Sequence, residues 1–596
     1  MFAGIALLRA AAAPVSGWQP LSRARPPTPI RCPFGHDHPA GPGGSLPIGL
    51  HLYRTSSGRP RRCTVPKRTR LAAVLAAAAL AVTAAVTPAF AEQTAPASHQ
   101  ITSRYDALIP APLEAKAHGG PGFRLTPGIV VRTEPGSAEA RQVAEYLAEE
   151  IRPATGFDVP IVDRPTARPH IALLLHGAGK RVGDQGYRLD VTPHRITIRA
   201  NTSDGLFAGV QTLRQLLPPE FAAGTQQKHT WTVPAGRVVD APRFEYRGAM
   251  LDIARHFHTP DEIKSYIDQI VHYKINYLHL HLTDDQGWRI EIDSWPDLAP
   301  VGGGPGTGVD GVGGGYLTKE DYADLVAYAE SRHITIVPEI DMPGHTNAAL
   351  SVYGELNCDG VPVPPRTDTE VGYSSLCIGL ETTYRFVEDV IREVAELTPG
   401  PYLHIGGDEA HATPEEDYRA FMQRVLPLVE KYGKRAFGWT EVTKAEPPTS
   451  VVPQFWHTNR ENASLADAVA HGNKVIMSPA NKAYLDMKYD QNTPLGLSWA
   501  GYIEVKDAYD WDPGSHVTGV GEESVLGVEA PLWSETLRNI DDIEFMAFPR
   551  LPAIAELGWS PADSHDWESF RARLAEEGKR WEAEGVDFYR SPQIDW

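Results

Sequence analysis

From Phe244 to the C-terminus, short apolar runs alternate with longer stretches in which apolar residues recur at helical spacing. Each short run has the length of a buried strand. The eight strand candidates are residues 249–253, 277–282, 335–340, 402–405, 435–438, 452–456, 475–477 and 525–528. Eight strand–helix units within residues 241–596 predict an α/β fold, a (β/α)8 TIM barrel. A doubly wound open sheet is the alternative, but no GxGxxG segment follows the first strand.

The helical stretches between these runs carry start signals. In residues 259–273, Thr259 is placed to cap a helix, Pro260 takes its first position and Glu262 completes a capping box. The apolar residues that follow recur three or four positions apart, which predicts one buried face. Residues 318–332 have the same spacing. Amphipathic helices are therefore expected to connect the strands.

Residues 104–240 have a different pattern, which predicts a small α+β domain in front of the barrel. Apolar strands are expected at 128–132 and 170–175, and a pair of alternating strands at 187–191 and 195–198. Helices with an apolar stripe are expected at 138–151 and 203–217. This segment contains no constellation of candidate catalytic side chains, so its expected role is to support the barrel.

The first 103 residues divide into three segments. Residues 1–64 are rich in Pro, Gly and Arg without a hydrophobic period, which indicates a start codon assigned too early or a disordered leader. Residues 65–91 resemble a signal peptide, with a basic start at 67–70, an apolar run at 71–86 and the cleavage site Ala89-Phe90-Ala91. The apolar run is too short to predict a membrane span. Residues 92–103 form a polar linker, and the mature protein is expected to be secreted.

Charge narrows the range of partners. The formal net charge is −19, and removal of residues 1–91, which hold eleven basic residues and one acidic residue, leaves −29. A protein with this much negative charge repels nucleic acid and anionic membranes. Neither is therefore an expected partner. Nothing in the sequence specifies an oligomeric state.

Two cysteines remain after cleavage at Ala91, namely Cys358 and Cys377, which are 19 positions apart. In an exported protein this pair favours one disulfide, and two free buried thiols are the alternative. Cys32 and Cys63 would be removed with the leader. No CxxC pair occurs, so a structural zinc site is not indicated and no cofactor is expected.

The residues that follow the predicted strands are rich in carboxylates and tryptophans and poor in lysine. Barrel enzymes build their active sites from these strand ends. The candidates, in chain order, are Asp252, Arg255, Asp284, His345, Asp408, Glu409, Trp439, Trp456, Tyr484, Asp486, Trp499, Trp533 and Glu535. Carboxylates transfer protons and balance charge, and tryptophan faces stack on sugar rings. Together they predict glycoside hydrolysis, with one or two of the tryptophans packing structurally.

Four motifs make a specific resemblance. Residues 247–257 (RGAMLDIARHF) look like the opening barrel strand of the family 20 glycoside hydrolases, the β-N-acetylhexosaminidases. Residues 279–289 (HLHLTDDQGWR), 338–345 (PEIDMPGH) and 404–409 (HIGGDE) resemble the second, third and fourth strand motifs of that family. The resemblance spans roughly residues 104–596 and implies exo-acting, retaining release of terminal N-acetylhexosamines.

The family implies a substrate-assisted mechanism. By resemblance, Glu409 is the general acid/base that protonates the departing glycosidic oxygen and then activates water. The 2-acetamido carbonyl oxygen of the substrate attacks the anomeric carbon and gives an oxazolinium intermediate. Asp408 orients the acetamido N–H and balances its growing positive charge, because such a cation needs a nearby anion.

The resemblance also implies roles around the sugar. Arg255 looks like the residue that holds O3 and O4, although a structural salt bridge with Asp252 or Asp284 is the alternative. Glu535 resembles the acceptor for O4 or O6. Tyr484 resembles the hydroxyl that binds the acetamido oxygen, with support from Asp486. Trp439, Trp456 and Trp533 resemble the walls around the acetamido methyl, and Trp499 is expected along the sugar or at the aglycone side. Asp284 and His345 look like a pair that positions Glu409.

The adjacency of Asp408 and Glu409 raises a geometric problem. Consecutive residues of a strand point to opposite faces. Both side chains can face the site only if the chain leaves strand geometry there, which Gly406-Gly407 would permit. The alternative for the pair is two solvated surface carboxylates.

Three alternative functions can be weighed. His279 and His281, two apart on a strand, could begin the metal site of an amidohydrolase, with ligands such as His345, His404 and Asp408, but no lysine follows the fourth strand to bridge two metals. A non-catalytic glycan-binding barrel would not need the Asp408-Glu409 pair. A chitinase of the other substrate-assisted family would carry a DxxDxDxE motif, which is absent. Within the hexosaminidases, N-acetylglucosamine, N-acetylgalactosamine and disaccharide release all stay open.

The leader hypothesis predicts a defined mature end. Because Ala89-Phe90-Ala91 offers a signal-peptidase site, the secreted protein is expected to begin at Glu92. Mass spectrometry of the N-terminal peptide of protein secreted by a bacterial host measures this directly. A mature N-terminus upstream of Lys67 would contradict the hypothesis.

Overall fold

The computed structural model describes residues 101–596. The predicted leader 1–64, the signal peptide 65–91, Cys32, Cys63 and linker residues 92–100 lie outside the described residues. No helix within 101–596 is long and apolar enough to cross a membrane.

A small domain of mixed sheet and helix precedes the barrel, as predicted. Its strands are β1 (Glu114–Ala117), β2 (Phe123–Arg124), β3 (Val130–Arg132), β4 (Ile161–Val162), β5 (His170–Leu174), β6 (Tyr187–Thr192), β7 (Arg195–Ala200), β8 (Thr232–Val233) and β9 (Gly236–Asp240). Seven of them form one sheet in the order β1-β9-β6-β7-β5-β3-β4, while β2 pairs with β8. Helices α1 (Ala138–Thr155) and α2 (Ser203–Leu216) pack against the sheet. The predicted alternating pair is antiparallel, with Leu189 opposite Ile198.

Eight parallel strands then close into a barrel, which confirms the predicted fold. They are β10 (Tyr246–Asp252), β11 (Tyr277–His281), β14 (Thr335–Glu339), β15 (Tyr402–His404), β16 (Arg435–Trp439), β17 (Val452–Phe455), β18 (Val475–Met477) and β19 (Val525–Ala530), and a hairpin of β12 (Thr283–Asp284) and β13 (Gly287–Trp288) follows β11. The last strand pairs with the first, with Tyr246 opposite Gly527, so the barrel has no free edge.

Helices connect the barrel strands and follow the last of them. They are α3 (Pro260–Ile270), α4 (Leu298–Gly302), α5 (Lys319–Ser331), α6 (Asn347–Val352), α7 (Glu381–Leu397), α8 (Glu415–Lys431), α9 (Ala463–His471), α10 (Ala480–Ala483), α11 (Val505–Tyr509), α12 (Ile540–Ala547), α13 (Arg550–Trp559) and α14 (Trp567–Glu584). Helix α3 begins with the predicted capping box of Thr259 and Glu262. The connection between β16 and β17 departs from the regular pattern, because it holds a 3₁₀ segment, Thr440–Ala445, in place of an α-helix.

The first strand begins three residues earlier than the predicted 249. Gly248 interrupts the apolar pattern at that point, because the Glu529 side chain lies against it. A Cβ on Gly248 would come within 2.6 Å of Glu529 Oε2. A sequence pattern cannot register this contact, since the two residues are far apart along the chain.

The predicted disulfide joins Cys358 and Cys377. It closes the loop after β14, and this loop contacts the ends of the strands. The Ser374 hydroxyl donates to Asp285 Oδ1 at 2.5 Å, and the Gln286 amide donates to the Asp368 carbonyl at 2.8 Å. The disulfide therefore constrains a segment that borders the site described below.

Helix α14 ties the small domain to the barrel. The Arg573 guanidinium donates to the Leu108 carbonyl at 3.1 Å, and the Arg580 guanidinium donates to the Leu217 carbonyl at 2.8 Å. Both arginines are buried. The last long helix of the chain thus satisfies backbone carbonyls of the first domain.

Candidate active site

The chain leaves strand geometry directly after β15, as the Asp408-Glu409 adjacency requires. Gly406 and Gly407 have φ angles of +64° and +99°, and Glu409 itself has φ +42°. Such angles are costly for residues other than glycine. The two glycines turn the backbone so that the carboxylates of both Asp408 and Glu409 come within 4 Å of the same His345 nitrogen.

The turn requires glycine because of the lack of room for a side chain at Gly406 as well as because of its φ angle. A Cβ on Gly406 would lie 1.7 Å from Asp341 Oδ1. The same Asp341 oxygen accepts a hydrogen bond from the Gly407 N–H at 3.0 Å. Tyr418, on α8, donates its hydroxyl to the Gly407 carbonyl at 2.8 Å. The turn is therefore held from both sides by side chains of neighbouring elements.

His345 connects the carboxylate pair to Asp284. Its Nε2 lies 3.6 Å from Glu409 Oε2 and 3.8 Å from Asp408 Oδ2, while its Nδ1 lies 3.2 Å from Asp284 Oδ1. Burial disfavours charge on this imidazole, but Asp284 and Asp408 outweigh burial and hold the pKa of His345 well above its ordinary value. The predicted Asp284–His345 contact is present, and His345 has the character of a buried cation.

Asp284 is in turn held by positive groups. Arg255 Nη2 lies 2.8 Å from Asp284 Oδ2, and His281 Nε2 lies 2.8 Å from the same oxygen. Burial alone would raise the pKa of Asp284, but Arg255 and His345 lower it well below its usual value. Asp284 is thus the fixed anion of the site.

Arg255 makes the salt bridge with Asp284 that the sequence offered as the alternative to sugar binding, and its Nη1 lies 3.4 Å from Asp252. The guanidinium also sits over the Trp533 ring, 4.9 Å from its centroid. These contacts fix the position of Arg255, and its hold on sugar hydroxyls stays a prediction.

The buried part of the site, the deep end, contains the carboxyl groups of Asp408 and Asp341 close together. Burial raises the pKa of Asp408 well above its usual value, and Asp341 raises it further, against the pull of His345. Burial likewise raises the pKa of Asp341, again opposed by His345. An anion here is costly until a positive charge approaches, so the deep end favours a ligand that develops positive charge.

The predicted aromatic residues form one connected wall. Ring centroids lie 6.0 Å apart for Trp456 and Trp499, 5.9 Å for Trp499 and Tyr484, 6.1 Å for Tyr484 and Trp533, and 5.7 Å for Trp533 and Trp439. Trp439 is fully buried, whereas Trp499 is 54% exposed. Trp439 therefore packs structurally against Trp533, and Trp499 stands at the open end.

Three further candidate site residues from the sequence are Tyr484, Asp486 and Glu535. Burial raises the pKa of the Tyr484 hydroxyl well above its usual value, and nearby Asp408 raises it further. Neither carboxylate oxygen of Asp486 has a hydrogen-bond partner among residues 101–596. Burial raises the pKa of Glu535, against the pull of Arg255. A buried carboxyl without a partner is suited to a polar ligand group.

Two groups of side chains beside the pair have metal-ligand atoms within 4.8 Å of one another. They are Asp284, Asp285 and His345, and Asp341, His345 and Asp408. Arg255 and the cationic His345 already supply positive charge to Asp284 at 2.8 and 3.2 Å, and His345 also lies 3.8 Å from Asp285 and from Asp408. A metal ion would have to compete with both cations, so the arrangement favours internal ion pairs.

Sequence reasoning missed two residues. Asp341, within the motif at 338–345, received no role of its own, yet it holds the glycine turn and lies close to Asp408. Glu339 lies beneath the site and accepts the indole N–H of Trp439 at 2.9 Å. The sequence could have pointed to both residues, because Glu339 and Asp341 are two apart at a strand end, and residues two apart on a strand share a face.

Known proteins resemble this chain over both of its domains. Residues 244–562 match the model of the glycosyl hydrolase family 20 catalytic domain, and residues 105–241 match domain 2 of the same family. A β-N-acetylhexosaminidase of Cellulomonas fimi is 40% identical over 490 residues, which cover 82% of this chain and 97% of that protein.

Solved structures give the same result. The family 20 β-N-acetylhexosaminidase of Streptomyces coelicolor A3(2) superposes with a TM-score of 0.80 at 52% identity, over 83% of this chain and 99% of that one. A mutant Streptomyces plicatus β-hexosaminidase in complex with the product GlcNAc superposes with a TM-score of 0.80 at 54% identity, over 83% of this chain and 98% of that one.

The glycine turn gives a test of the site geometry. Gly406→Ala is expected to lower kcat by at least about 100-fold, because its Cβ would displace Asp341 and shift Asp408 and Glu409. Gly407→Ala, whose Cβ would meet the flexible end of Met422 at 2.8 Å and the Tyr418 hydroxyl at 2.9 Å, should have a smaller effect, since neither contact involves a catalytic carboxylate or its partner Asp341. Steady-state kinetics and thermal unfolding measure both variants.

Gly433→Ala is the matched control. It has φ +77° but open space around the added Cβ, so only the backbone cost of about 1 kcal/mol applies. We expect a small fall in Tm and an unchanged kcat. Equal kinetics for Gly406→Ala and Gly433→Ala would show that the turn does not position the pair.

Proposed function

The chain belongs to glycosyl hydrolase family 20, and on this premise we propose how its residues release N-acetylhexosamines. The protein is a glycoside hydrolase, an exo-acting β-N-acetylhexosaminidase. The observation that carries the mechanism is the placement of Asp408 and Glu409 on one side of the chain, both facing the cationic His345.

Glu409 is the general acid/base. Its side chain is 28% exposed, against 12% for Asp408, so it is the carboxyl nearer the opening, where a departing aglycone would lie. It donates its proton to the glycosidic oxygen and, once ionised, takes a proton from the water that opens the intermediate. His345, 3.6 Å away and held by Asp284, fixes the orientation of the carboxyl.

Asp408 is the partner of the acetamido group. It lies deeper, close enough to Tyr484 to raise the pKa of the tyrosine hydroxyl. As the acetamido oxygen attacks the anomeric carbon, positive charge grows on the oxazolinium ring. A buried carboxyl whose ionisation is costly in the free enzyme gains most when that charge appears, so the stabilisation falls on the transition state.

The remaining contacts fit a single sugar. Arg255 and Glu535 bind the hydroxyls at the closed end, where O3, O4 and O6 lie. Tyr484 binds the acetamido oxygen and Asp486 supports this side of the pocket. Trp456 and Trp533 enclose the acetamido methyl, backed by Trp439, while Trp499 contacts the aglycone side. A flexible Glu535 accommodates either configuration at O4, so both N-acetylglucosamine and N-acetylgalactosamine are proposed substrates.

The cellular setting follows from the charge and the leader. We propose that the protein is secreted and acts on neutral glycans or chito-oligosaccharides. Its acidic body does not attract nucleic acid or anionic membranes.

Replacement of the acid/base tests the assignment. Glu409→Gln is expected to lower kcat by about 10²- to 10⁴-fold, because the amide neither donates the proton nor activates water. Poor aryl leaving groups should lose more rate than good ones, since they depend more on protonation. The matched control is Glu415→Gln, a carboxylate 65% exposed in the first turn of α8, which should keep the wild-type rate. Wild-type activity in Glu409→Gln would refute the assignment.

Substrate comparison tests the internal nucleophile. Aryl N-acetylglucosaminide and N-acetylgalactosaminide should both be hydrolysed, whereas the aryl glucoside, which has no acetamido group, should react at least about 10⁴-fold more slowly, the loss expected when a well-oriented intramolecular nucleophile is removed. Initial rates under matched conditions measure this. Equal cleavage of the glucoside would exclude the acetamido-assisted mechanism.

A further inference from the structure

The barrel interior below the pair contains a carboxylate surrounded by nitrogen atoms. Glu339, the last residue of β14, is fully buried. Its oxygens lie 2.9 Å from Trp439 Nε1, 2.9 Å from His279 Nε2, 2.5 Å from His281 Nδ1 and 3.0 Å from His404 Nδ1. The mechanism above uses neither Glu339 nor the three histidines.

One branch of this cluster leads to the fixed anion of the site. His281 contacts Glu339 through Nδ1 and Asp284 Oδ2 through Nε2, the latter at 2.8 Å. Asp284 in turn contacts both Arg255 and His345. The orientation of His281 therefore decides where Asp284 is held, and Asp284 orients the groups that face the sugar and the acid/base.

A second branch leads to the glycine turn. The Gly406 backbone N–H donates to His404 Nδ1 at 3.0 Å, and the same nitrogen lies 3.0 Å from Glu339 Oε1. Gly406 begins the turn that brings Asp408 and Glu409 to one side. A shift of His404 would thus be passed directly to the backbone of the catalytic segment.

A third branch leads to the aromatic wall. The indole N–H of Trp439 is donated to Glu339, and the Trp439 ring packs against Trp533 at 5.7 Å. Trp533 also lies under the Arg255 guanidinium. The hydrogen bond fixes the rotation of Trp439 and so the position of the ring in front of it.

Charge explains why an anion is needed at the centre. Burial alone would raise the pKa of Glu339, but His281, His404 and His279 hold it well below its usual value. Burial opposes charge on His281, yet Glu339 and Asp284 raise its pKa to about 10. Burial lowers the pKa of His404. Glu339 is therefore an anion that keeps His281 protonated and clamped between two carboxylates.

We propose that Glu339 is a positioning residue of the hydrolase, which from the barrel interior fixes Asp284, the Gly406–Gly407 turn and the Trp439–Trp533 wall at once. It touches no substrate and acts through His281, His404 and Trp439. The inference rests on the proposed function, since it assumes that these three parts form the catalytic site.

Glu529 supplies a matched control within the same interior. It is also fully buried, and it contacts His279 Nδ1 at 2.9 Å, Gln454 Nε2 at 2.7 Å and the Tyr246 hydroxyl at 2.5 Å. Its hydrogen bonds and ion pair join it to none of His281, His404 and Trp439. If buried carboxylates served stability alone, Glu339→Gln and Glu529→Gln would have the same consequences.

Kinetics separate the two explanations. Glu339→Gln is expected to lower kcat by roughly 30- to 100-fold, the size expected for a misplacement of catalytic groups, with KM changed by less than about 3-fold. Glu529→Gln is expected to lower Tm similarly but to keep kcat within about 3-fold of wild type. Equal kcat in the two variants at matched temperature below both Tm values would overturn the proposal.

The pH profile gives a second readout that a structural role would not move. The titratable groups that face His281 are Glu339, Asp284, Asp252 and Asp341, and only Glu339 is removed. The pKa of His281 should therefore fall toward the ordinary value of about 6.5 in Glu339→Gln. Its kcat should then drop between about pH 6 and about pH 8, as His281 loses its proton. Wild type and Glu529→Gln both keep Glu339 beside His281 and should lack this limb.

Glu339→Asp guards against a Gln variant that does not fold. It keeps the charge but shortens the side chain, so kcat should fall without the new pH limb. A normal kcat in Glu339→Asp would contradict the proposal.

Crystal structures of the variants decide the inference independently of activity. In Glu339→Gln, the indole of Trp439, the carboxylate of Asp284 and the 406–407 turn are expected to move, whereas in Glu529→Gln they should stay. Unmoved positions in Glu339→Gln would refute the proposal even if kcat has fallen. Absence of wild-type hexosaminidase activity would instead refute the proposed function and leave this structural readout decisive.

Discussion

The turn at Gly406 and Gly407 is the constraint on which the site depends. Two carboxylates that are neighbours in sequence would point to opposite faces of a strand, and only a change in backbone direction brings both to one side. The left-handed φ angles and the closeness of Asp341 leave glycine as the one residue type that fits at Gly406. This turn places Asp408 and Glu409 at different depths beside the same neighbour, His345. The separate tasks of the two carboxylates follow from this placement.

The barrel interior is built to serve the site rather than to maximise hydrophobic burial. Glu339, Glu529, His279 and His281 are fully buried and arranged as ion pairs. Such pairs give little net stability, because desolvation offsets their attraction. Their value is directional: each imidazole accepts one orientation between two carboxylates. The strands below the site therefore transmit a fixed geometry to its upper end.

The aromatic wall and the charged groups divide the pocket into two environments. Trp456, Tyr484, Trp499 and Trp533 form an apolar side suited to a methyl group and a sugar face. Arg255, Asp284 and His345 form a polar side in which ion pairs hold each residue in place. Asp408 lies where the two environments meet, and this position explains why its ionisation is unfavourable until positive charge develops beside it. The small domain and helix α14 stand outside this division and brace the barrel through backbone carbonyls.

Local sequence determined much of this protein. Apolar periodicity located all eight barrel strands to within a few residues, since buried parallel strands are short continuous apolar runs, and cap residues marked the start of α3. The motifs at 404–409 and 338–345 placed the carboxylates at the right strand ends, and two cysteines sufficed to predict the disulfide. These features depend on neighbours along the chain or on a count, which a sequence displays directly.

Only the tertiary structure decided the rest. The early start of β10 at Tyr246, the burial of Trp439 against Trp533, and the part of Asp341 in the turn all arise from contacts between different strands. The absence of an α-helix between β16 and β17, in the part of the chain described, likewise has no clear mark in the local pattern. Closure of the barrel brings residues that are tens to hundreds of positions apart within hydrogen-bonding distance, and the pKa of each carboxyl then depends on which charges meet it there. Sequence identifies the chemical groups, whereas three-dimensional proximity assigns their charge and their task.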